Sequence, residues 1–237
     1  MDGVIQGMNS VVFITVGRWV DAEEGGCRFA REDGRGFIEE GYGLGFCFER
    51  PDIVVTCAHV VRHRDCCDVF LYAPGGVSRP QTVDRMWKTT NADLAVLLLQ
   101  GESTLHPISA RRDRKVRLGE ETFFWSPLVL DGKDGTRSID PCLRRTMVSR
   151  IFNAQLLDSG TPVPHKLFLD ASIPPGSSGS PLVFGDGLLA GIVNAEHMRP
   201  SSEVSIPSGI GVAIPVHAVF AFVESLRSQL ASLDKEA

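Results

Sequence analysis

The sequence predicts an all-β protein, a barrel or sandwich, with a single helix at its C-terminal end. Three observations carry this: short segments rich in Val, Ile, Leu and Phe, turn residues bounding them, and helical periodicity confined to one terminal stretch. With 24 glycines and 14 prolines, the chain has the turn capacity that many short strands need. Its 237 residues, 43% hydrophobic, are enough to bury one large β-type domain or two small ones.

In chain order, Val11–Val16, Gly45–Phe48, Ile53–Thr56, Val69–Tyr72 and Leu94–Leu99 read as strands. Turns such as Arg50-Pro51-Asp52, Ala73-Pro74-Gly75-Gly76 and Thr89-Thr90-Asn91 separate them. Ser109–Lys115, carrying Arg111, Arg112, Asp113, Arg114 and Lys115, reads as a solvated connector. Strand character resumes at Glu121–Trp125, Thr146–Ile151, Lys166–Leu169, Pro181–Phe184, Leu188–Val193 and Ile210–Ile214. From Val216 to Leu233, the residues Val219, Phe220, Val223, Leu226, Leu230 and Leu233 recur at spacings of three or four. They predict a helix with one apolar face against the body, and Pro215 sits where its missing N–H does no harm.

Composition excludes several classes. A net charge of −5 argues against a general nucleic-acid binder, and 22% charged residues against a disordered polar chain. No apolar run approaches the roughly 20 residues that span a bilayer, so no membrane role is expected. Cys27, Cys47, Cys57, Cys66, Cys67 and Cys142 are too sparse for a small disulfide scaffold. The N-terminus has no basic region ahead of its apolar stretch, and the chain has no Asn-x-Ser/Thr sequon. The expectation is a cytoplasmic protein with reduced thiols.

Three clusters carry chemistry. Thr56-Cys57-Ala58-His59-Val60-Val61 runs a strand into a histidine. Asp93-Leu94-Ala95-Val96-Leu97 puts an acid at the mouth of a strand, and Pro175-Gly176-Ser177-Ser178-Gly179-Ser180-Pro181-Leu182 sets serines among glycines. Singly, each has a bland explanation: a structural histidine, a turn-capping aspartate, a Gly-Ser loop. Together they supply a hydroxyl, an imidazole to take its proton and a carboxylate to orient the imidazole, which is what nucleophilic acyl transfer needs. The chain order His, Asp, Ser is that of the chymotrypsin arrangement.

These blocks resemble a trypsin-like, chymotrypsin-fold serine peptidase, and most of all the protease domain of the HtrA/Deg group. Asp170-Ala171-Ser172-Ile173-Pro174 ahead of the serine loop, and Gly209-Ile210-Gly211-Val212-Ala213-Ile214-Pro215 before the terminal helix, are similar to that group too. The resemblance implies two six-stranded antiparallel β-barrels and a C-terminal helix. Residues 1–110 would carry the histidine and aspartate, 111–215 the serine, and 216–237 the packing helix. It further implies His59 as general base, Asp93 as its orienter and Ser178 as nucleophile. The oxyanion hole falls on the backbone N–H groups of Gly176 and Ser178, with Ser177 between them, and the substrate pocket on Ser172, Asn194, Ala195, Glu196 and Gly211. No metal or cofactor is implied.

The chain departs from its relatives in several places. Leu44 and Val60 stand where digestive-type enzymes place a disulfide, and Ser177 replaces the aspartate that pairs with a newly cleaved N-terminus, so no zymogen cleavage is expected. The 22 residues after Pro215 leave no room for a PDZ domain, so control is expected from loops or a regulatory protein partner. With no aspartate at the pocket base, a small or medium apolar P1 residue is expected, complicated by Glu196. Two other readings compete: a catalytically silent binding module of the same fold, and a zinc module built on Cys57, His59, His63, Cys66 and Cys67.

Overall fold

The computed structural model describes residues 7–21, 29–30, 35–62, 68–72, 81–89, 91–131, 137–152, 166–199 and 206–233. Cys27, His63, Cys66 and Cys67 lie outside them. The first half builds on β-branched and aromatic runs that suit a pleated, buried surface. Its strands are β1 (Val11–Asp21), β2 (Phe29–Ala30), β3 (Arg35–Phe48), β4 (Arg50–Cys57), β5 (Asp68–Tyr72), β6 (Gln81–Lys88) and β7 (Leu94–Leu99). Among the described residues they form one sheet in the order β1-β5-β6-β7-β4-β3-β2, and β1 also pairs antiparallel with β3 along its length. That second pairing brings the sheet back on itself. Six strands make the ring, and two-residue β2 rides on β3.

The second half holds β8 (Glu121–Asp131), β9 (Arg137–Phe152), β10 (Lys166–Leu169), β11 (Pro181–Phe184), β12 (Leu189–Arg199) and β13 (Ile206–Pro215). They close into a barrel in the order β10-β13-β12-β11-β8-β9. Closure removes sheet edges that would otherwise leave backbone groups unpaired. The fold is the expected pair of β-barrels.

The core falls into two apolar clusters. One fills the second barrel around Phe124, Leu167, Leu182, Phe184 and Val193. The larger one fills the first barrel and runs on through Val183, Leu189, Ile192 and Ile214 to the terminal helix, so the two barrels share buried surface. In β7 all six residues are buried, which explains why that strand lacks the alternation of a half-exposed one.

The terminal helix departs from the expected single run. It is split into α1 (Val216–Ser225) and α2 (Arg227–Leu233). At the joint, the Leu226 N–H donates to the Val223 carbonyl at 3.0 Å, a tightened turn, while the Ser225 hydroxyl donates to the Phe222 carbonyl at 2.6 Å. The apolar face survives the break, because Val219, Phe220, Val223, Leu226 and Leu230 are all buried. Phe220 meets Phe48 of the first barrel edge-on, ring centroids 5.4 Å apart. Each buried side chain of this size is worth on the order of 2 kcal/mol, so this face is ample to hold the helix.

Two other features are hidden in the sequence. Strand β6 is polar and half exposed, with an alternating pattern too weak to stand out; its Trp87 Nε1 donates to Gln229 Oε1 at 2.7 Å and ties it to α2. The connector is more than a solvated loop. Arg112 bonds Glu224 of α1 at 2.8 Å and lies over the Phe220 ring, and Arg114 stacks on Phe184 at 4.1 Å.

Leu97, fully buried at the centre of the first barrel, gives the sharpest stability test. Leu97→Ala is expected to lower unfolding free energy by about 2–5 kcal/mol in a urea titration. Thiol accessibility provides a second check. Cys47 and Cys57 are buried and Cys142 is exposed, so iodoacetamide at pH 8, read by peptide mapping, should modify Cys142 in the native protein while Cys47 and Cys57 react only after unfolding.

Candidate active site

The histidine cluster takes its shape from the turn at the end of β4. Buried Cys57 ends the strand, and Ala58–Val61 form a short 3-10 turn that anchors Val60 and Val61 in the core and leaves His59 exposed. Asp93 sits just before β7 with φ at +51°, a left-handed conformation that aspartate tolerates better than most residues. Its backbone carbonyl accepts from the Ala58 N–H at 2.9 Å. Its side chain then meets His59 twice: Oδ1 accepts from the His59 backbone N–H at 2.9 Å, and Oδ2 lies 2.7 Å from the ring Nδ1. A third donor, the Asn194 Nδ2, reaches Oδ2 at 2.6 Å. Partial burial works to raise the Asp93 pKa, but the hydrogen bonds and charge of His59, with the Asn194 amide, outweigh it and hold the carboxyl below its ordinary value.

The serine loop arrives from the second barrel. Of its three serines, Ser177 and Ser180 are fully buried while Ser178 is partly exposed. The Ser180 hydroxyl accepts from the Trp125 N–H at 2.8 Å, and the Ser177 hydroxyl is enclosed without a partner. The Ser178 hydroxyl donates to the Asn194 carbonyl at 2.8 Å. Asn194 thus touches both halves of the site, its amide on Asp93 and its carbonyl on Ser178. The family resemblance implies a pocket wall at Asn194, and the structure shows its side-chain amide bonded to Asp93.

Gly176 takes φ of +81°, and a Cβ there would fall 2.4 Å from the Tyr42 ring, so the turn requires glycine. Among the described residues, the N–H groups of Gly176 and Ser178 have no hydrogen-bond acceptor. The Ser177 N–H is committed to the Pro174 carbonyl at 3.1 Å. The two N–H groups expected as oxyanion donors, those of Gly176 and Ser178, therefore have no acceptor among the described residues, while the turn uses the Ser177 N–H between them internally.

Of the remaining pocket candidates, Ser172 and Glu196 are bonded to each other at 2.9 Å, while Ala195 and Gly211 belong to the paired strands β12 and β13. The sequence suggests Cys57 at the site only as a zinc ligand. Its thiol donates to the Val193 carbonyl at 3.3 Å beneath the His–Asp pair, and burial, followed by the charge of Asp93, pushes its pKa up to about 12. Ligand atoms of Cys57, His59 and Asp93 lie within 4.8 Å of one another, donor types that can hold a metal. Yet His59 Nδ1 and Asp93 Oδ2 already bind each other, and the thiol is held protonated. An ion would have to displace both protons.

An imidazole oriented by a carboxylate, an accessible serine and two free backbone donors make an arrangement suited to acyl transfer. Comparison with known proteins points the same way. The trypsin-like peptidase domain matches residues 43–192, which span all three clusters. The chloroplastic Protease Do-like 1 of Arabidopsis thaliana is 30% identical over 80% of this chain and 40% of its own length. The mitochondrial serine protease HTRA2 of Drosophila ananassae is 28% identical over 77% of this chain and 38% of its own, and that of Drosophila virilis is 28% identical over 77% and 39%. This chain spans about two fifths of the length of these relatives. The family match takes in His59, Asp93 and Ser178 and covers more than half of the sequence, and the chain belongs to the trypsin-like peptidase domain family.

Proposed function

We propose that the protein is a serine endopeptidase acting on protein or peptide substrates through an acyl-enzyme. The observation that carries this is the unengaged pair of N–H groups at Gly176 and Ser178 beside a serine hydroxyl and a histidine held by Asp93. In the first step the Ser178 hydroxyl turns from the Asn194 carbonyl to His59. Its oxygen attacks the scissile carbonyl carbon as the proton passes to His59 Nε2. The oxyanion accepts from Gly176 and Ser178 N–H, at the point where charge develops. His59 returns the proton to the leaving amine as the C–N bond breaks. Water then repeats the sequence, releasing the new carboxyl terminus and restoring Ser178.

Asp93 fixes the Nδ1–H tautomer and stabilises the imidazolium that forms in each half-reaction. Asn194 acts through Asp93, as a positioning residue. Because Ser177 stands where an N-terminal ammonium would need an aspartate, the site requires no zymogen cleavage. A cytoplasmic setting accords with the free thiols Cys47, Cys57 and Cys142. The alternative of a silent binding module makes the opposite prediction for covalent labelling.

A fluorophosphonate should label the wild-type protein and not Ser178→Ala; equal labelling of both, or of neither, would remove the endopeptidase reading. Asp93→Asn should lower kcat by on the order of 10⁴ in a peptide assay, because the amide favours the wrong imidazole tautomer. The same variant tests the charge balance. With its pKa depressed by folding, Asp93 stabilises the native state fully above its unfolded value of about 3.9. That contribution is lost as pH falls through the folded pKa. The stability gap between wild type and Asp93→Asn, measured by denaturant titration, should therefore be present at pH 6 and close below about pH 4.

A further inference from the structure

Close to Ser178, β12 presents a carboxylate held by two neutral donors. The Asn194 carbonyl, on β12, accepts from Ser178. Glu196 lies two residues on, about 7 Å further along the strand. Its Oε2 accepts from the Ser172 hydroxyl at 2.9 Å, and its Oε1 from the Gly209 N–H of β13 at 3.0 Å. Both donors are neutral. Among the side chains the structure describes, which do not include those of His197 and Arg199, no Lys, Arg or His pairs with Glu196. Ser172 and Gly209 are exposed and Glu196 is half-buried, so the carboxylate is held in place by three segments yet open to solvent. Beneath it, Ile173 packs close to Gly211; a Cβ on that glycine would lie 2.7 Å from the Ile173 side chain.

From this geometry we infer that Glu196 selects substrates with arginine or lysine at P1. The inference rests on the endopeptidase reading of Ser178. An ionised carboxylate can accept about four hydrogen bonds, and two are supplied by Ser172 and Gly209. The unused lone pairs suit a guanidinium or ammonium arriving from a residue bound at Ser178, and a long basic side chain supplies both the charge and the donors. An apolar P1 group would instead strip water from the carboxylate without giving it a partner, which is costly. The expectation of an apolar P1 residue rests on the absence of an aspartate at the position of Ser172. Here the negative charge comes from the neighbouring strand and is hydrogen-bonded to that same serine.

Binding and turnover test this separately. On Ser178→Ala, which keeps the lining but cannot form an acyl-enzyme, fluorescent 4-aminobenzamidine should bind, and adding Glu196→Gln should weaken its Kd about 10- to 100-fold, the range for losing a charge-assisted hydrogen bond. Adding Glu196→Asp, which keeps the charge, should weaken it less. In a P1-varied peptide library, wild type should show its highest kcat/KM for arginine and lysine, and Glu196→Gln should move the lead to apolar residues. Absent amidine binding, binding indifferent to Glu196→Gln, or a wild-type lead for apolar or acidic P1 would overturn the assignment. If fluorophosphonate labels wild type but P1 is apolar, this inference alone falls. If Ser178 cannot be labelled, the endopeptidase reading falls with it.

Discussion

The site depends on one close approach between the barrels. The Leu44 N–H of β3 donates to the Ser178 carbonyl at 2.8 Å, and the Gly179 N–H donates to the Val193 carbonyl of β12 at 2.8 Å. Between these bonds there is no room for a side chain: a Cβ at Gly179 would fall 1.8 Å from the Leu44 carbonyl oxygen and 2.5 Å from Thr56 Oγ1. Thr56 is itself held there by donating to the Leu44 carbonyl at 2.7 Å. The serine loop is thereby clamped against β3 and β4, and β4 is the strand that delivers His59. Glycine at 179, with φ of +88°, is what lets a loop from one barrel share hydrogen bonds with a strand of the other.

From that seam the electrostatics follow. Asp93 occupies a left-handed backbone conformation that costs on the order of 1 kcal/mol. It is kept there by the Ala58 N–H on its carbonyl and by three donors on its carboxylate. One of those donors, Asn194, comes from the second barrel, so the acid of the first barrel gains a third carboxylate donor when the two are joined. The Asn194 carbonyl on Ser178 closes the circuit. Geometry at the serine and charge at the histidine are thus two consequences of one interface.

Much of this is legible in the sequence, for physical reasons. Leu94–Leu99, Lys166–Leu169 and Pro181–Phe184 match their strands residue for residue, because fully buried or sharply bounded segments leave an unambiguous apolar signature. His59, Asp93 and Ser178 stand out as candidates in the sequence because nucleophilic acyl transfer restricts the residue types it can use. What is not readable depends on partners distant in the chain. Gln81–Lys88 is strand because its neighbours supply the ladder, and Trp87 finds its acceptor 142 residues away. Whether Asn194 lines a pocket or grips Asp93 turns on a side-chain rotation that no spacing encodes. The split at Leu226 comes from competition for carbonyls within a single turn, which apolar periodicity does not register.

Cys57 shows how environment overrides the intrinsic reactivity of a thiol. A thiol ordinarily ionises far more easily than a serine hydroxyl, and this one lies within contact range of the proposed acid and base. It is disabled twice. Burial removes it from any substrate, and the low-dielectric surroundings with Asp93 alongside penalise the thiolate so strongly that the proton stays on sulfur, bonded to the Val193 carbonyl. Ser178 begins with the weaker group and has the better position: partly exposed, beside free N–H donors, on a loop fixed to both barrels. The Val193 carbonyl that accepts the Cys57 S–H also accepts the Gly179 N–H, so one carbonyl meets both the buried thiol and the serine loop.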